Sequence, residues 1–321
     1  MRAAEIQTIG VIGAGLMGHG IAQVFALKGY KVKLFDNDPK NLESAPERIR
    51  NNLQTLLEMN LVESQGLENC VNHLQLCHTL KEMCQGAELI IEAVSENVDL
   101  KRAIFGDLER FTTPQTILCS NTSGISIGLI CENLQFKERV VGTHFWNPPH
   151  IIPCVEVIKS PFTTDEVFHI VIELLEGVGK KPVRVLKDIP GFLGNRLQHA
   201  LWREAISLVE KGMADPEDID RVVKYGFGLR LPFVGPLETA DLAGLDLVYE
   251  VHKYLFSHLE NRSTPSPLLK TLVDQKATGV KAKKGFYNWT DERIKQIIQQ
   301  RDKALLKMTE VMKGFIRENK Q

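Results

Sequence analysis

The sequence is poor in cysteine, and its few cysteines lack the close spacing that zinc sites and redox motifs require. They lie at positions 70, 77, 84, 119, 131 and 154, and no two are separated by only two residues. Zinc and dithiol motifs normally contain such pairs, and sparse cysteine usage is typical of a reducing compartment. The seven-residue spacing of the first three predicts one buried stripe of a helical stretch, so we expect no metal site.

The chain also has no excess of charge of either sign and no long uninterrupted apolar run. Its 39 basic and 40 acidic residues leave a net charge of −1, which favours neither a nucleic acid nor an anionic membrane as partner. Residues 6–27 are mostly apolar, but five glycines interrupt them, which favours a strand, a turn and a helix over a signal peptide. We therefore predict a cytoplasmic protein that acts on a small molecule.

The first half of the chain alternates short apolar segments with helical patterns. Strands that alternate with helices form a doubly wound, mostly parallel sheet with helices on both faces. The predicted strands are Thr8–Ile12, Lys31–Phe35, Glu88–Ala93, Thr116–Ser120, Arg139–Thr143, Cys154–Ile158 and Pro182–Val185. The pattern therefore predicts an α/β fold.

A long polar stretch at about 38–85 separates the second predicted strand from the third. Helical signals within it predict a helical insertion that projects from the sheet. Pro46 should interrupt its first helix, because proline lacks the N–H that the helix interior needs, and Ser44 should cap a restart.

The pattern becomes helical throughout after Lys187. A helix is expected to open at Pro190, and helical spacing of apolar residues continues to the end of the sequence. A length of 321 residues also favours two domains. We predict an α/β domain over residues 1–187 and an all-helical substrate and dimerisation domain over 188–321.

Residues 8–36 combine an apolar strand, a glycine-rich turn, a helix and a second strand that ends in an acidic residue. The pattern Gly13-x-Gly15-x-x-Gly18 permits a tight turn, close approach of a pyrophosphate and close packing of the helix on the strand. The helix N-terminus attracts phosphates, and Asp36 would bind the adenosine ribose and repel a 2′-phosphate. The segment predicts a Rossmann domain that binds NAD rather than NADP. The expected cofactor contacts here are Gly13, Gly15, Leu16, Met17, Gly18 and Asp36.

A histidine and a glutamate stand where the chemistry of such a fold would take place. His144 follows the predicted strand Arg139–Thr143, and ligands bind beyond the carboxyl ends of parallel strands. Glu156 lies within an apolar strand, where a carboxylate is costly unless it has a partner. The pair predicts a general base, His144, that removes a hydroxyl proton while Glu156 orients its ring.

Further motifs occur in the order in which one enzyme family has them. They are Ser120-Asn-Thr-Ser123, His144-Phe-Trp-Asn147-Pro with Glu156, Pro190-Gly-Phe-Leu-Gly-Asn195-Arg and Gly285-Phe-Tyr. On these residues the chain resembles the 3-hydroxyacyl-CoA dehydrogenase family over nearly its whole length. The resemblance implies NAD-dependent oxidation of an L-3-hydroxyacyl-CoA such as 3-hydroxybutyryl-CoA, and a homodimer formed through the helical domain.

The resemblance also implies roles for individual residues. Ser123 and Asn195 would hold the reacting oxygen and the substrate carbonyl. The nicotinamide half of the cofactor site would be lined by Glu96, Lys101, Ser123, Asn147 and Lys281. Lys283 stands where such enzymes commonly have a glycine, two residues before Gly285, so we expect this loop to run differently.

Two classes of substrate remain open. The family's acyl-CoA enzymes hold the CoA tail with a serine and a lysine, whose positions here are Asn52 and Met59, and residues 51–80 contain no lysine or arginine to meet its phosphates. Gly228-Leu-Arg230 and the following Gly235-Pro-Leu-Glu-Thr resemble a branch that contains lambda-crystallin (L-gulonate 3-dehydrogenase) and L-carnitine dehydrogenase. Those enzymes act on free hydroxy acids, and in this alternative Arg230 would grip the substrate carboxylate.

A non-catalytic NAD-binding or structural protein is a third possibility. The presence of all four residues of the expected catalytic set argues against it; they are Ser123, His144, Glu156 and Asn195. We therefore expect an active oxidoreductase of fatty acid metabolism.

Overall fold

The computed structural model describes residues 2–318 and divides the chain into two compact units, Met1–Arg196 and Leu197–Gln321. The first unit contains eight strands. They are β1 (Thr8–Ile12), β2 (Lys31–Phe35), β3 (Leu74–Cys77), β4 (Leu89–Glu92), β5 (Ile117–Ser120), β6 (Val140–Phe145), β7 (Cys154–Ile158) and β8 (Lys181–Val185). They form one sheet in the order β3-β2-β1-β4-β5-β6-β7-β8, and every neighbouring pair is parallel except β6 and β7.

Helices connect the strands of the first unit. They are α1 (Gly18–Ala26), α2 (Pro39–Glu58), α3 (Ser64–Asn72), α4 (Leu80–Cys84), α5 (Val98–Phe111), α6 (Ile127–Cys131) and α7 (Asp165–Gly177). Every residue of β4 and β5 is buried, as expected for parallel strands covered on both faces. The prediction of a doubly wound, mostly parallel sheet is confirmed.

The order of the strands determines where a ligand can bind. The chain moves outward from β1 through β2 to β3 and then returns to β4 on the other side of β1. This reversal opens a crevice at the carboxyl ends of β1 and β4, where doubly wound folds bind their ligands. Because β5 and β6 run parallel to these strands, their carboxyl ends meet at the same edge.

The stretch at 38–85 differs from the prediction of a wholly helical insertion. It contains a strand, β3, which pairs in parallel with β2 and extends the sheet at its edge. Helix α2 also runs without interruption through Pro46. Ser44 caps no restart, because its hydroxyl donates to the carbonyl oxygen of Lys40 one turn earlier. The buried face of α2, which includes Ile49 and Leu53, outweighs the one backbone hydrogen bond that proline removes.

The three regularly spaced cysteines do not share a helix, so the prediction of one helical stripe was wrong. Cys70 lies in α3, Cys77 in β3 and Cys84 in α4. All three are buried, and burial raises the pKa of the Cys70 thiol to about 12. Within residues 2–318, no group of histidine, cysteine, aspartate and glutamate side chains could hold a metal ion.

The second unit is helical. Its helices are α8 (Gly194–Glu210), which begins just before the division, α9 (Pro216–Tyr225), α10 (Pro236–Ala243), α11 (Leu245–Leu255), α12 (Pro267–Asp274) and α13 (Asp291–Glu318). Helix α8 begins four residues after Pro190, because Phe192 adopts a left-handed φ of 49°, which a right-handed helix cannot accommodate. Across the described part of the chain, no helix is both long enough and apolar enough to cross a bilayer.

Candidate active site

The turn between β1 and α1 has the shape of a dinucleotide-binding turn. Gly13 adopts a φ of 88°, and a Cβ atom there would lie 2.7 Å from the carbonyl oxygen of Ala93, so only glycine fits. A Cβ on Gly18 would lie 1.6 Å from the carbonyl oxygen of Gly13, whereas a Cβ on Gly15 would meet nothing within 4 Å. Gly15 therefore leaves open space next to the backbone, as a bound pyrophosphate requires. The residues present fit a dinucleotide.

Asp36 connects this turn to the start of α2. One carboxylate oxygen accepts the backbone N–H of Ala14 at 2.6 Å, and the other accepts the N–H of Asp38 at 2.8 Å. Arg48 reaches the same turn from α2 and donates to the carbonyl oxygens of Ala14 and Asn41. The insertion thus supports the turn, and sequence analysis did not identify this role of Arg48. Leu16, on the turn, is 68% exposed and accessible to a cofactor.

The substitution Asp36→Ala tests the cofactor preference. It removes the carboxylate that would repel a 2′-phosphate, so we expect the ratio of kcat/KM for NAD to that for NADP to fall at least about tenfold. Steady-state kinetics with both cofactors measures this ratio. Asp38→Ala removes the same charge two residues away and should leave the ratio nearly unchanged. Equal effects of the two substitutions would contradict the assignment.

His144 and Glu156 face each other across the one antiparallel strand pair. They are direct partners in the register of β6 and β7, an arrangement that brings two side chains on one face together. His144 Nδ1 lies 2.8 Å from Glu156 Oε2, and the two side chains are 7% and 2% exposed. His144 lies within β6 rather than after it, because β6 extends two residues beyond the predicted strand. The structure brings the two predicted residues together.

Glu156 also binds the start of α8. Its second oxygen, Oε1, accepts the backbone N–H groups of Leu193 and Gly194, each at 2.9 Å. Burial raises the pKa of this carboxyl group, but the hydrogen bonds from His144, Gly194 and Leu193 outweigh that effect and hold it below its ordinary value. Glu156 is therefore ionised near neutral pH, and it links the histidine to the helix that carries Asn195.

Two aromatic rings pack against the His144 ring. The ring centroids of Trp146 and Phe192 lie 5.2 and 5.8 Å from that of His144. A Cβ atom on Gly194 would lie 2.2 Å from the Trp146 ring, so glycine is required where α8 approaches the indole. The histidine is held in one orientation by packing as well as by Glu156.

Ser123 and Asn195 also meet. The Asn195 side-chain amide donates to the backbone carbonyl oxygen of Ser123 at 2.5 Å. Glu96 holds the same turn from the other side, accepting the backbone N–H groups of Ser123 at 2.9 Å and Gly124 at 3.2 Å. Ser123 is itself exposed. The turn after β5 is therefore fixed between α8 and the segment after β4.

Lys101 does not occupy an open surface. Its side chain is completely buried, with Nζ 2.6 Å from Glu92 Oε1 and 3.5 Å from Glu96 Oε2. Sequence analysis did not identify Glu92. The available signal was a carboxylate at the end of an entirely apolar strand, the same signal that identified Glu156.

A second buried lysine holds the loop that follows β6. Lys180 Nζ donates to the carbonyl oxygens of Pro149 and Ile152, and burial lowers the pKa of Lys180 to about 8. The same loop carries Asn147, whose side chain is exposed, and a Cβ on Gly20 of α1 would lie 2.6 Å from Pro149. Sequence analysis did not identify Lys180, which lies between α7 and β8.

The remaining expected residues lie elsewhere. Asn52, on α2, donates to the side-chain oxygen of Gln23 at 2.9 Å. Arg230 and Lys281 belong to the second unit, and both are exposed. Lys283 has a left-handed φ of 56°, so it adopts a conformation typical of glycine, and it pairs with Asp291 at 2.6 Å. The roles of Arg230 and Lys281 stay predictions.

The dinucleotide turn and the polar residues at the same sheet edge place the chain among the NAD-dependent dehydrogenases. Residues 8–189 match the 3-hydroxyacyl-CoA dehydrogenase NAD binding domain, and residues 191–289 match the C-terminal domain of the same family. The chain belongs to the 3-hydroxyacyl-CoA dehydrogenase family. It is an oxidoreductase that acts on a CH–OH group of a small-molecule substrate, with NAD as its cofactor.

Two curated relatives show the range of this family. The chain is 34% identical to the 5-formyl-3-hydroxy-2-methylpyridine 4-carboxylate 5-dehydrogenase of Mesorhizobium japonicum, over 96% of this chain and 99% of the relative. It is 37% identical to the "probable 3-hydroxybutyryl-CoA dehydrogenase" of Bacillus subtilis, over 90% of this chain and 99% of the relative.

Solved structures show the same two likenesses. The crystal structure of a 5-formyl-3-hydroxy-2-methylpyridine 4-carboxylic acid 5-dehydrogenase, described as an NAD⁺-dependent dismutase, has a TM-score of 0.90 at 34% identity, covering 96% of this chain and 99% of the other. The (S)-3-hydroxybutyryl-CoA dehydrogenase from Ralstonia eutropha has a TM-score of 0.75 at 30% identity, covering 89% of this chain and all of the other.

Proposed function

We propose that the protein oxidises the 3-hydroxyl group of an L-3-hydroxyacyl substrate to the 3-keto product, with His144 as the general base and Glu156 as its orienting partner. The observation that carries the proposal is the 2.8 Å contact between His144 Nδ1 and Glu156 Oε2 at the carboxyl edge of the sheet. Bound NAD would supply the acceptor for the hydride that leaves the carbon bearing the hydroxyl group.

The geometry supports a defined path for the proton. A carboxylate can only accept, so the contact with Glu156 places the ring proton on Nδ1 and leaves Nε2 as the acceptor for the substrate proton. The imidazolium that forms is stabilised by the same carboxylate. Ser123 follows β5, and Asn195 of α8 is hydrogen-bonded to its backbone carbonyl oxygen. These two residues would bind the reacting oxygen and the substrate carbonyl.

We favour a CoA thioester, such as 3-hydroxybutyryl-CoA, as the substrate. The family to which both halves of the chain belong, and the name of the Bacillus relative, support this choice. A role in fatty acid metabolism follows from it as a prediction, and a cytoplasmic location stays a prediction from the sequence.

A free carboxylic acid is the second candidate, because residues 51–80 carry no lysine or arginine. The helix and edge strand that these residues form therefore offer no cation to CoA phosphates. Arg48, which precedes these residues on α2, already donates to the backbone carbonyl oxygens of Ala14 and Asn41. The relative from Mesorhizobium japonicum, whose name specifies a carboxylate and a formyl group, supports this candidate as well.

NAD reduction with L-3-hydroxybutyryl-CoA, compared with free L-3-hydroxybutyrate, L-gulonate and L-carnitine, tests the two candidates. We expect kcat/KM for the thioester to exceed that for each free acid at least about 100-fold, which corresponds to about 2.7 kcal/mol of transition-state binding. Turnover of a free acid alone would reject the thioester, and Arg230→Met would then test the carboxylate contact. Turnover of none of the four would count against the proposed function.

We also propose that the protein is a homodimer that associates through its helical unit. Helices α9, α10, α11 and α12 contain no buried residue. Their exposed side chains include large apolar ones, among them Leu237 and Leu242 at about four-fifths exposure. Large apolar side chains left exposed on four helices are typical of an interface, and a second copy of the chain is the occupant that the family resemblance implies.

A further inference from the structure

A group of three charged side chains, two of them fully buried and the third 43% exposed, lies next to the turn that carries Ser123. Lys101 projects from α5 with its side chain completely buried, and its ammonium group contacts two carboxylates, Glu92 at 2.6 Å and Glu96 at 3.5 Å. A lysine that lines an open cofactor cleft would expose part of its ammonium group. The position of Lys101 therefore indicates an indirect role.

Glu92 is fixed at the end of β4 by contacts that satisfy both of its oxygens. Oε1 accepts from Lys101 and from the backbone N–H of Val94 at 2.8 Å, and Oε2 accepts from the Ser120 hydroxyl group at 2.7 Å. A fully buried carboxylate is costly unless it is paired and hydrogen-bonded, and this one has both kinds of partner. The pair of Glu92 and Lys101 is therefore a rigid structural support between β4, β5 and α5.

Glu96 connects the pair of Glu92 and Lys101 to the turn that carries Ser123. Its Oε2 faces Lys101, while its Oε1 accepts the Thr122 hydroxyl group at 2.5 Å and the backbone N–H groups of Ser123 and Gly124. Burial raises the pKa of Glu96, but the hydrogen bond from Thr122 and the charge of Lys101 outweigh that effect and lower it. Glu96 thus stays ionised, and the direction of its carboxylate depends on Lys101.

We propose that Glu92 and Lys101 are positioning residues that hold the Glu96 carboxylate and, through it, the Ser123 turn, so that Lys101 serves the reaction without touching the nicotinamide. The catalytic part of this inference rests on the proposed function, because it requires Ser123 to contact the reacting group. The structural part, that the pair immobilises the Ser123 turn, does not depend on any activity.

The substitution Glu92→Gln tests the inference with little change of shape. The charge opposite Lys101 disappears, so the ammonium group pulls Glu96 away from the N–H groups of Ser123 and Gly124. We expect amide hydrogen exchange at Ser123 and Gly124 to speed up about tenfold and kcat to fall about tenfold, while KM for NAD changes little. Hydrogen exchange measured by mass spectrometry over the segment 121–126 and steady-state kinetics give the two values.

A double-mutant cycle with Lys101→Met distinguishes an indirect role from direct contact with the cofactor. Removing both charges together leaves no unpaired charge in the fully buried pair, although Glu96 loses its cation, so the double variant should lose less kcat than the product of the two single losses. If Lys101 touched NAD, Lys101→Met would weaken NADH binding by the same factor with or without Glu92, and that result would overturn the proposal. Should a single variant fail to fold, hydrogen exchange over the segment 121–126 in the double variant still tests the positioning role, because unchanged exchange there would reject it.

Glu132→Gln is the matched control. Glu132 pairs with Arg102, which neighbours Lys101 on α5, but the two side chains are 42% and 31% exposed, so breaking this pair leaves no fully buried charge without a partner. The control should change neither exchange nor kcat. Unchanged exchange at Ser123 and Gly124 in Glu92→Gln would reject the positioning role. If exchange is faster in Glu92→Gln but the wild-type protein oxidises none of the substrates tested, the positioning role is supported and only the proposed function is rejected.

Discussion

His144→Gln is expected to lower kcat about 10³-fold while leaving NADH binding within about twofold of the wild type. Glutamine has no group that can accept a proton near neutral pH, and general base catalysis contributes about 10²- to 10⁴-fold. The turn that would hold the cofactor, between β1 and α1, does not include His144, so the affinity for NADH should not depend on it. Stopped-flow or steady-state kinetics and fluorescence titration with NADH measure the two quantities.

His169→Gln provides the matched control. This histidine lies on α7 in the same unit, is exposed, and contacts the ring of Phe168 and the charge of Asp165, neither of which belongs to the proposed site. Its substitution should leave both kcat and NADH binding unchanged. A His144→Gln variant with wild-type kcat would show that the protein works without this base, and the proposed mechanism would then be wrong. Loss of NADH binding together with kcat would indicate instead that the substitution disturbs the fold.

The sheet was predictable because its strands have a simple pattern. Seven of the eight strands are short apolar runs between helical segments, and each was predicted to within two residues at either end. The pairing of His144 with Glu156 was predictable for a related reason. A carboxylate inside the apolar segment Cys154–Ile158 needs a partner, and the antiparallel register of β6 and β7 supplies His144.

The features that could not be predicted depend on tertiary contacts. Strand β3 has only four residues of mixed polarity, and it forms because the edge of β2 offers free backbone groups. Helix α2 passes through Pro46 because its buried face is anchored on both sides of the proline. Lys101 resembles any solvated lysine in the sequence. Its burial against Glu92 becomes apparent only when the fold brings β4 and α5 together.

The start of α8 shows how local conformation can shift a boundary. Sequence analysis placed the helix start at Pro190, since proline is favoured in the first turn. The chain instead passes through a left-handed residue at Phe192, whose side chain is completely buried. This conformation directs the N–H groups of Leu193 and Gly194 at Glu156. The delayed start is therefore part of the site.

Glu156→Gln is expected to lower kcat about 10³-fold by placing the His144 proton on the wrong nitrogen. The N–H groups of Leu193 and Gly194 require an acceptor, so the amide oxygen of glutamine must face α8 and its NH₂ group must face His144. The NH₂ group then donates to Nδ1, the remaining ring proton moves to Nε2, and Nε2 can no longer accept the substrate proton. A carboxylate-to-amide change of this kind in a catalytic triad costs about 10⁴-fold in kcat.

Asp188→Asn separates this effect from the loss of a carboxylate at a helix start. Asp188 accepts the N–H of Gly128 at 2.8 Å and the Ser126 hydroxyl group at 2.6 Å at the beginning of α6, but it does not contact His144. Both variants should lower the thermal midpoint by a similar few degrees, whereas only Glu156→Gln should lower kcat, with NADH binding unchanged. If the two variants lowered kcat equally, the tautomer argument would fail. Because α8 forces the orientation of the amide, the geometry that fixes the base in the wild type is the same geometry that disables it in the variant.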